Sequence, residues 1–106
     1  MAFNQSRLST GSVTVVKATN ILITNKVVAT PSSEVSHVLQ TNLKQLKIRA
    51  RGNSKIQYTL VSGQSGTTYA TIPKGCTDWI MELNLSGKTL YLQTSIADII
   101  EITEFY

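Results

Sequence analysis

The sequence has very little of the chemistry on which metalloproteins and most nucleophilic enzymes depend. It contains one cysteine, Cys76, and one histidine, His37. A structural zinc site draws all its ligands from such residues, so this chain has too few of them. A single cysteine forms no internal disulfide, which is typical of proteins kept in a reducing compartment. We therefore expect no metal and no cofactor.

Long apolar runs are also missing. A membrane helix needs about 20 consecutive apolar residues, whereas the longest apolar stretches here, such as Val27–Ala29, have the length of a strand. The polar stretch from Met1 to Ser12 lacks the apolar centre of a signal peptide. We expect no membrane contact and synthesis in a cytoplasm.

Charge is scarce and unevenly placed. Charged residues make up 15% of the chain, against about 25% in an average soluble protein. A basic group lies in the middle of the chain and an acidic group in its last third. The basic group is Lys44, Lys47, Arg49, Arg51 and Lys55, and the acidic group is Asp78, Glu82, Asp98, Glu101 and Glu104. Low charge leaves a surface that associates readily with other proteins.

Period-two alternation recurs along the chain, and no segment shows a helical period. The sequence predicts an all-β fold, a single antiparallel β-sandwich of about eight strands, jelly-roll-like, over residues 13–106. Residues 1–12 are predicted to form an N-terminal arm. Val13–Ala18 is predicted as the first strand, and Ile21–Ile23 and Val27–Ala29 as short strands separated by a turn at Thr24–Lys26.

The clearest predicted strand has two unlike faces. Leu46, Ile48 and Ala50 alternate with Lys47, Arg49 and Arg51, so one side is apolar and the other cationic. Gly52–Ser54 is predicted to turn the chain into a hairpin with Ile56–Val61. Thr77–Leu85 is predicted as a later strand.

The cationic side has three interpretations. It is a solvated face that resists edge aggregation, a docking face for the acidic last third of a neighbouring copy, or a nucleic-acid contact. The nucleic-acid interpretation is the weakest, because exposed aromatics interleaved with the charges are missing.

The aromatic residues also have alternative interpretations. Trp79, Tyr69 and Tyr91 could form a glycan-stacking surface, although aromatics on β-sandwiches more often belong to the core or to an interface. The terminal Phe105 and Tyr106 are hard to bury within one chain. We therefore predict that they and the arm, including Phe3, contact a partner.

No arrangement of residues predicts catalysis. Cys76 lacks a neighbouring base in sequence, and we expect it to pack structurally. Asp78 and Glu82 would lie about 13 Å apart on one strand, too far for a glycosidase pair. Asp98 and Glu101 are expected at a solvated strand end. The Gly87-Lys88-Thr89 run lacks the earlier glycine of a phosphate-binding loop.

The second half of the chain resembles small proteins encoded among the structural genes of tailed bacteriophages. The resemblance lies in a pattern of strands and turns over about the last 60 residues. The segments concerned are Leu46–Arg51, Ser62–Tyr69, Ile72–Gly75, Leu83–Gln93 and Ile100–Ile102. Those proteins are compact β-sandwiches that decorate heads or sit in the neck and tail of virions.

The resemblance implies a non-enzymatic virion component made in the host cytoplasm. It would act in capsid decoration, or in the neck or tail, as a homo-oligomer in contact with other virion proteins. The residues expected to bind partners are Phe3, Lys47, Arg49, Arg51, Phe105 and Tyr106. The alternative is a carbohydrate-binding module that attaches a particle to a host surface through Trp79, Tyr69 and Tyr91.

Overall fold

A computed structural model describes residues 18–80 and 83–106 of the chain. Eight strands and one 3-10 turn form its regular structure, and no α-helix occurs among these residues. The all-β class predicted from the alternation is confirmed. The elements are β1 (Ile21–Val28), β2 (Val35–Val38), β3 (Gln45–Ala50), β4 (Ile56–Thr59), β5 (Ala70–Ile72), β6 (Thr77–Ile80), the 3-10 turn (Leu83–Leu85), β7 (Thr89–Thr94) and β8 (Asp98–Phe105).

The strands form two four-stranded antiparallel sheets. Sheet I has the order β1-β8-β3-β6, and sheet II has the order β2-β7-β4-β5. The pairings are nested along the chain, because β1 pairs with β8, β2 with β7, β3 with β6 and β4 with β5. Consecutive strands therefore lie in opposite sheets, except for the β4–β5 pair.

The core lies between the sheets and is built from alternate positions of the strands. On β3, Leu46 and Ile48 are fully buried, while Lys47 and Arg49 occupy the opposite face. Each such aliphatic side chain contributes about 1.5–3 kcal/mol of burial energy. The two-faced strand predicted from the sequence is confirmed. The buried core comprises Val28, Leu39, Leu43, Leu46, Ile48, Ile56, Ile72, Leu90, Leu92, Ile100 and Ile102.

The predicted hairpin between β3 and β4 is wrong. The two strands lie in different sheets, so the segment between them crosses from sheet I to sheet II. Asp98 fixes this crossing, because its carboxylate accepts hydrogen bonds from Gly52 N at 2.8 Å and Ser54 Oγ at 2.5 Å. A Cβ at Gly52 would lie 2.8 Å from Asp98 Oδ1, so any other residue at this position would displace the Asp98 carboxylate.

Asp98 is therefore more than the solvated strand end that the sequence suggested. Burial raises the pKa of its carboxyl, but this effect is outweighed by hydrogen bonds from Ser54, Ile99 and Gly52 and by the Arg51 charge. The pKa of Asp98 consequently lies below its ordinary value. Its ionised form stabilises the corner.

Two further strand predictions are corrected. β1 is one continuous strand that pairs with β8 along all its 8 residues, so no turn occurs at Thr24–Lys26. The strand predicted over Thr77–Leu85 ends at Ile80, and Leu83–Leu85 forms a 3-10 turn instead. The arm at residues 1–12 and the strand predicted for Val13–Ala18 lie outside the described residues, apart from Ala18, which is not in a strand.

Candidate functional site

The basic face predicted on β3 is present, and part of its charge is paired within the chain. Arg49 Nε lies 3.3 Å from Glu101 Oε1, and Arg51 Nε lies 2.8 Å from Glu101 Oε2. The β3–β8 register places Arg49 directly opposite Glu101. The Arg51 hydrogen bond is the main reason why the pKa of Glu101 is lowered, and the charges of Arg49, Arg51 and Lys47 add to it.

These contacts bear on the docking interpretation of the basic face. One member of the acidic last third already lies against Arg49 and Arg51 of the same chain, so a neighbouring copy is not needed to supply it. Exposed ion pairs of this kind contribute only about 0–1 kcal/mol each. A partner-binding role of Lys47, Arg49 and Arg51 stays a prediction.

An apolar row on β1 was missed by the sequence interpretation. Ile21, Ile23 and Val27 have exposed fractions of 63%, 64% and 61%. Because β1 is one uninterrupted strand, these residues share the outer face of sheet I with Asn25. The assumed turn at Thr24–Lys26 had divided this row, and only the β-branched spacing of Ile21 and Ile23 hinted at it.

The C-terminal aromatics are held within their own chain. Phe105 is the last residue of β8 and pairs with Ile21 and Gln45 in register. The Tyr106 carbonyl accepts hydrogen bonds from Thr19 N and Asn20 N, and Tyr106 N donates to Asn20 O. Both side chains are half-buried, so the expectation that they are hard to bury is wrong. Their contact with a partner is untested, and Phe3 lies outside the described residues.

Tyr91 and Tyr69, two of the three aromatics proposed for glycan stacking, lie in different regions of the molecule. Trp79 lies on β6 of sheet I, opposite Lys47 in register. Tyr91 lies on β7, on the outer face of sheet II. Tyr69 precedes β5 and lines a largely apolar cavity of about 440 Å³ with Tyr58, Leu60, Ile80 and Leu85 among others. Any glycan site must therefore use one of these regions.

Two polar bridges connect the inner faces of the sheets. His37 Nε2 on β2 lies 2.8 Å from Glu104 Oε1 on β8, and Gln40 N donates to Glu104 Oε2 at 2.8 Å. At the opposite side of the sandwich, the Tyr58 hydroxyl on β4 donates to Asp78 Oδ2 on β6 at 2.9 Å. Desolvation raises the pKa of Tyr58 to about 12, assisted by this hydrogen bond and by the Asp78 charge.

The residues considered for catalysis are not assembled into a site. His37 is buried with Glu104, whereas Cys76 is exposed beside the Pro73–Gly75 turn rather than packed as expected. Asp78 bonds to Tyr58, and Glu82 lies outside the described residues. Within the described ranges, no group of three or more His, Cys, Asp or Glu side chains could hold a metal ion.

In residues 18–80 and 83–106, no helix has the length and apolar character needed to cross a membrane. No protein-family model matches the chain, and neither the curated proteins nor the solved structures include a match.

Proposed function

We propose that this chain is a non-enzymatic structural subunit of a tailed-bacteriophage virion, in the head decoration, the neck or the tail. It acts through contacts between copies and with other virion proteins. The observation that supports this proposal most strongly is the apolar row Ile21, Ile23 and Val27 on the edge strand β1. The resemblance of the second half of the chain to such proteins supplies the virion context.

The edge position makes this row unusual. An edge strand exposes unpaired backbone groups, and natural proteins normally protect it with charges, proline or a bulge. The outward residues of β1 include no charged residue and no proline, and its single charge, Lys26, lies on the inward side of the strand. A long, regular, apolar edge is well suited to pairing with another chain.

The ion pairs on the same sheet favour the apolar row over the basic face as the main contact. Arg49 and Arg51 already share Glu101, so recruiting them to a partner would mean replacing existing pairs. Desolvating charges costs free energy that apolar side chains do not cost. In this proposal, the row on β1 provides the binding energy, and Lys47, Arg49 and Arg51 flank it and provide orientation.

The nested pairing of the strands also supports the proposal. The first strand pairs with the last, β2 with β7 and β3 with β6, around the central pair of β4 and β5. We propose that this arrangement is the predicted jelly roll. Jelly rolls build viral capsid proteins and lectins. This part of the support is an analogy of fold alone.

The experiment that tests the proposal compares two matched substitutions. Ile23→Lys places a charge in the β1 row, and Val38→Lys places the same charge on β2, an edge strand of sheet II, where the exposed fraction of Val38 is 65%. Sedimentation velocity at several concentrations should show oligomers for the wild-type protein and for Val38→Lys. Ile23→Lys should be monomeric, with a circular dichroism spectrum unchanged from the wild type. Equal sedimentation of all three proteins would contradict the proposal.

A further inference from the structure

The outer face of sheet II has a different chemistry from the outer face of sheet I. None of the outward side chains on its four strands is charged. They are Ser36 and Val38 on β2, Thr89, Tyr91 and Gln93 on β7, Gln57 and Thr59 on β4, and Thr71 on β5. The carboxylate of Glu34, in the segment before β2, accepts hydrogen bonds from Gly63 N at 2.9 Å and Ser65 N at 3.1 Å.

Two glutamine amides at the centre of this face are fixed in position. Ser65 Oγ donates to Gln93 Oε1 at 3.0 Å, and Gln93 Nε2 donates to Gln57 Oε1 at 2.8 Å. Ser65 is 1% exposed. The backbone of Gly66 lies so close that a Cβ there would be 3.3 Å from Gln93 Oε1. The amides are therefore oriented before any ligand arrives.

This arrangement directs one donor group outward. The Oε1 atom of Gln57 accepts from Gln93, and the Nε2 amino group of the same amide is a donor group that can bind another acceptor. Because this donor is already fixed in position, a ligand that accepts a hydrogen bond from it loses little side-chain entropy on binding.

Tyr91 lies next to these amides. In register it is opposite Ser36 on one side and Thr59 on the other, and the Gln57–Gln93 pair occupies the next outward row. Neighbouring outward rows on a strand are about 6.5–7 Å apart, and cross-strand neighbours about 5 Å. A sugar ring stacked on Tyr91 would thus have its hydroxyl groups within reach of the Gln57 amide and the Thr59 hydroxyl.

We propose that the outer face of sheet II binds an uncharged glycan, with Tyr91 as the stacking residue and the Gln57 amide as the principal donor. A charged ligand would find no opposite charge on this face. An apolar partner would cover the Gln57 donor without satisfying it, which costs free energy. The site is on the opposite sheet from β1 and uses neither Trp79 nor Tyr69.

The test is a titration followed by ¹⁵N–¹H correlation spectra that include the side-chain amides. The probes are the neutral oligosaccharides maltohexaose, cellohexaose and chitohexaose, with 3′-sialyllactose as the charged comparison. Each is added up to about 10 mM, so that a Kd as weak as about 1 mM is detected. At least one neutral probe should shift the Gln57 and Gln93 amide signals. Its affinity should stay constant between about 0.05 and 0.5 M salt, because no charges are paired.

Matched variants locate the site. Tyr91→Ala should weaken binding about tenfold or more. Gln57→Ala should weaken binding severalfold, and this second variant tests the site should Tyr91→Ala fail to fold. Tyr69→Ala, at the cavity, and Gln45→Ala, on sheet I, should bind as the wild type does. Absence of binding by every neutral probe would overturn the proposal. So would binding that survives in the Gln57→Ala and Tyr91→Ala variants, or binding of 3′-sialyllactose alone. A monomeric protein would still bind, so this result is separate from the assembly test.

Discussion

On sheet I the outward polar contacts join opposite charges, whereas on sheet II they join amides and hydroxyls. Arg49 and Arg51 share one carboxylate on sheet I, and Ser65, Gln93 and Gln57 form a neutral chain of hydrogen bonds on sheet II. The inner faces of both sheets contribute to one apolar core. The core therefore defines the fold, and each outer face is free to serve a different partner.

The largest effect is expected where the two sheets are joined. Glu104→Ala would leave the buried His37 ring and Gln40 N without their acceptor. A buried donor left without its acceptor typically costs about 1–3 kcal/mol, so the loss of the acceptor for both donors is expected to cost about 2–6 kcal/mol. Glu104→Ala should reduce the free energy of unfolding by that amount in urea titrations. If this pair connects the sheets as described, the Glu104→Ala variant should lose both the association through β1 and the glycan binding on sheet II.

Glu101→Ala is the matched control for that prediction. It makes the same change on the same strand, but on the outer face, where the pair with the arginines is exposed to solvent. We expect a loss below about 1 kcal/mol. Comparable losses for the two variants would show that the buried pair does not hold the sheets together.

A smaller effect is expected at the other bridge between the sheets. The raised pKa of Tyr58, about 12, means that the folded state retains a proton which the unfolded state loses near pH 10. The stabilisation is therefore complete below pH 10 and is lost as the pH rises toward 12. Because the Tyr58 side chain is partly exposed, we expect this loss to be about 1 kcal/mol after solvent screening.

Tyr58→Phe isolates this contribution. Unfolding titrations between pH 9 and about 12 should show a shallower loss of stability in this variant than in the wild type. Tyr69→Phe, which alters a tyrosine without a bond to Asp78, should follow the wild-type curve. A Tyr58→Phe curve parallel to that of the wild type would contradict the raised pKa of Tyr58 in the folded state.

The smallest effects distinguish the two outer faces directly. A double-mutant cycle for Arg51 and Glu101 should give about 0.2–1 kcal/mol at low salt and nearly nothing in about 1 M salt. A cycle for Ser65 and Gln93 should give about 0.5–1.5 kcal/mol at both salt concentrations. If both coupling energies fell with salt, the contrast between a charged face and a neutral face would be lost.

The fold class could be predicted from the sequence because alternation is a local signal. The two faces of β3 follow from Leu46, Lys47, Ile48 and Arg49 alone. The partner of β3 could not be predicted in this way, since a hairpin and a crossing to the other sheet both bury the same apolar side chains. The crossing depends on Asp98, which is 46 residues away from Gly52 in sequence.

The candidate surfaces were harder to predict for the same reason. The apolar row on β1 depends on an unbroken strand, and that continuity comes from pairing with β8 at the other end of the chain. The amide network on sheet II joins Gln57, Ser65 and Gln93 from three separate segments. Tyr91 could be identified as a candidate, but its neighbours became apparent only from the register.

Incorporation of the β1 variants into particles tests the central claim most directly. Particles of the tailed phage that we propose to encode this chain would be produced with wild-type protein, Ile23→Lys or Val38→Lys, and the copies per particle counted by quantitative mass spectrometry. We predict multiple copies of the wild type and of Val38→Lys, and loss of Ile23→Lys from the particle. Absence of the wild-type chain from virions, or normal incorporation of Ile23→Lys, would contradict assembly through β1.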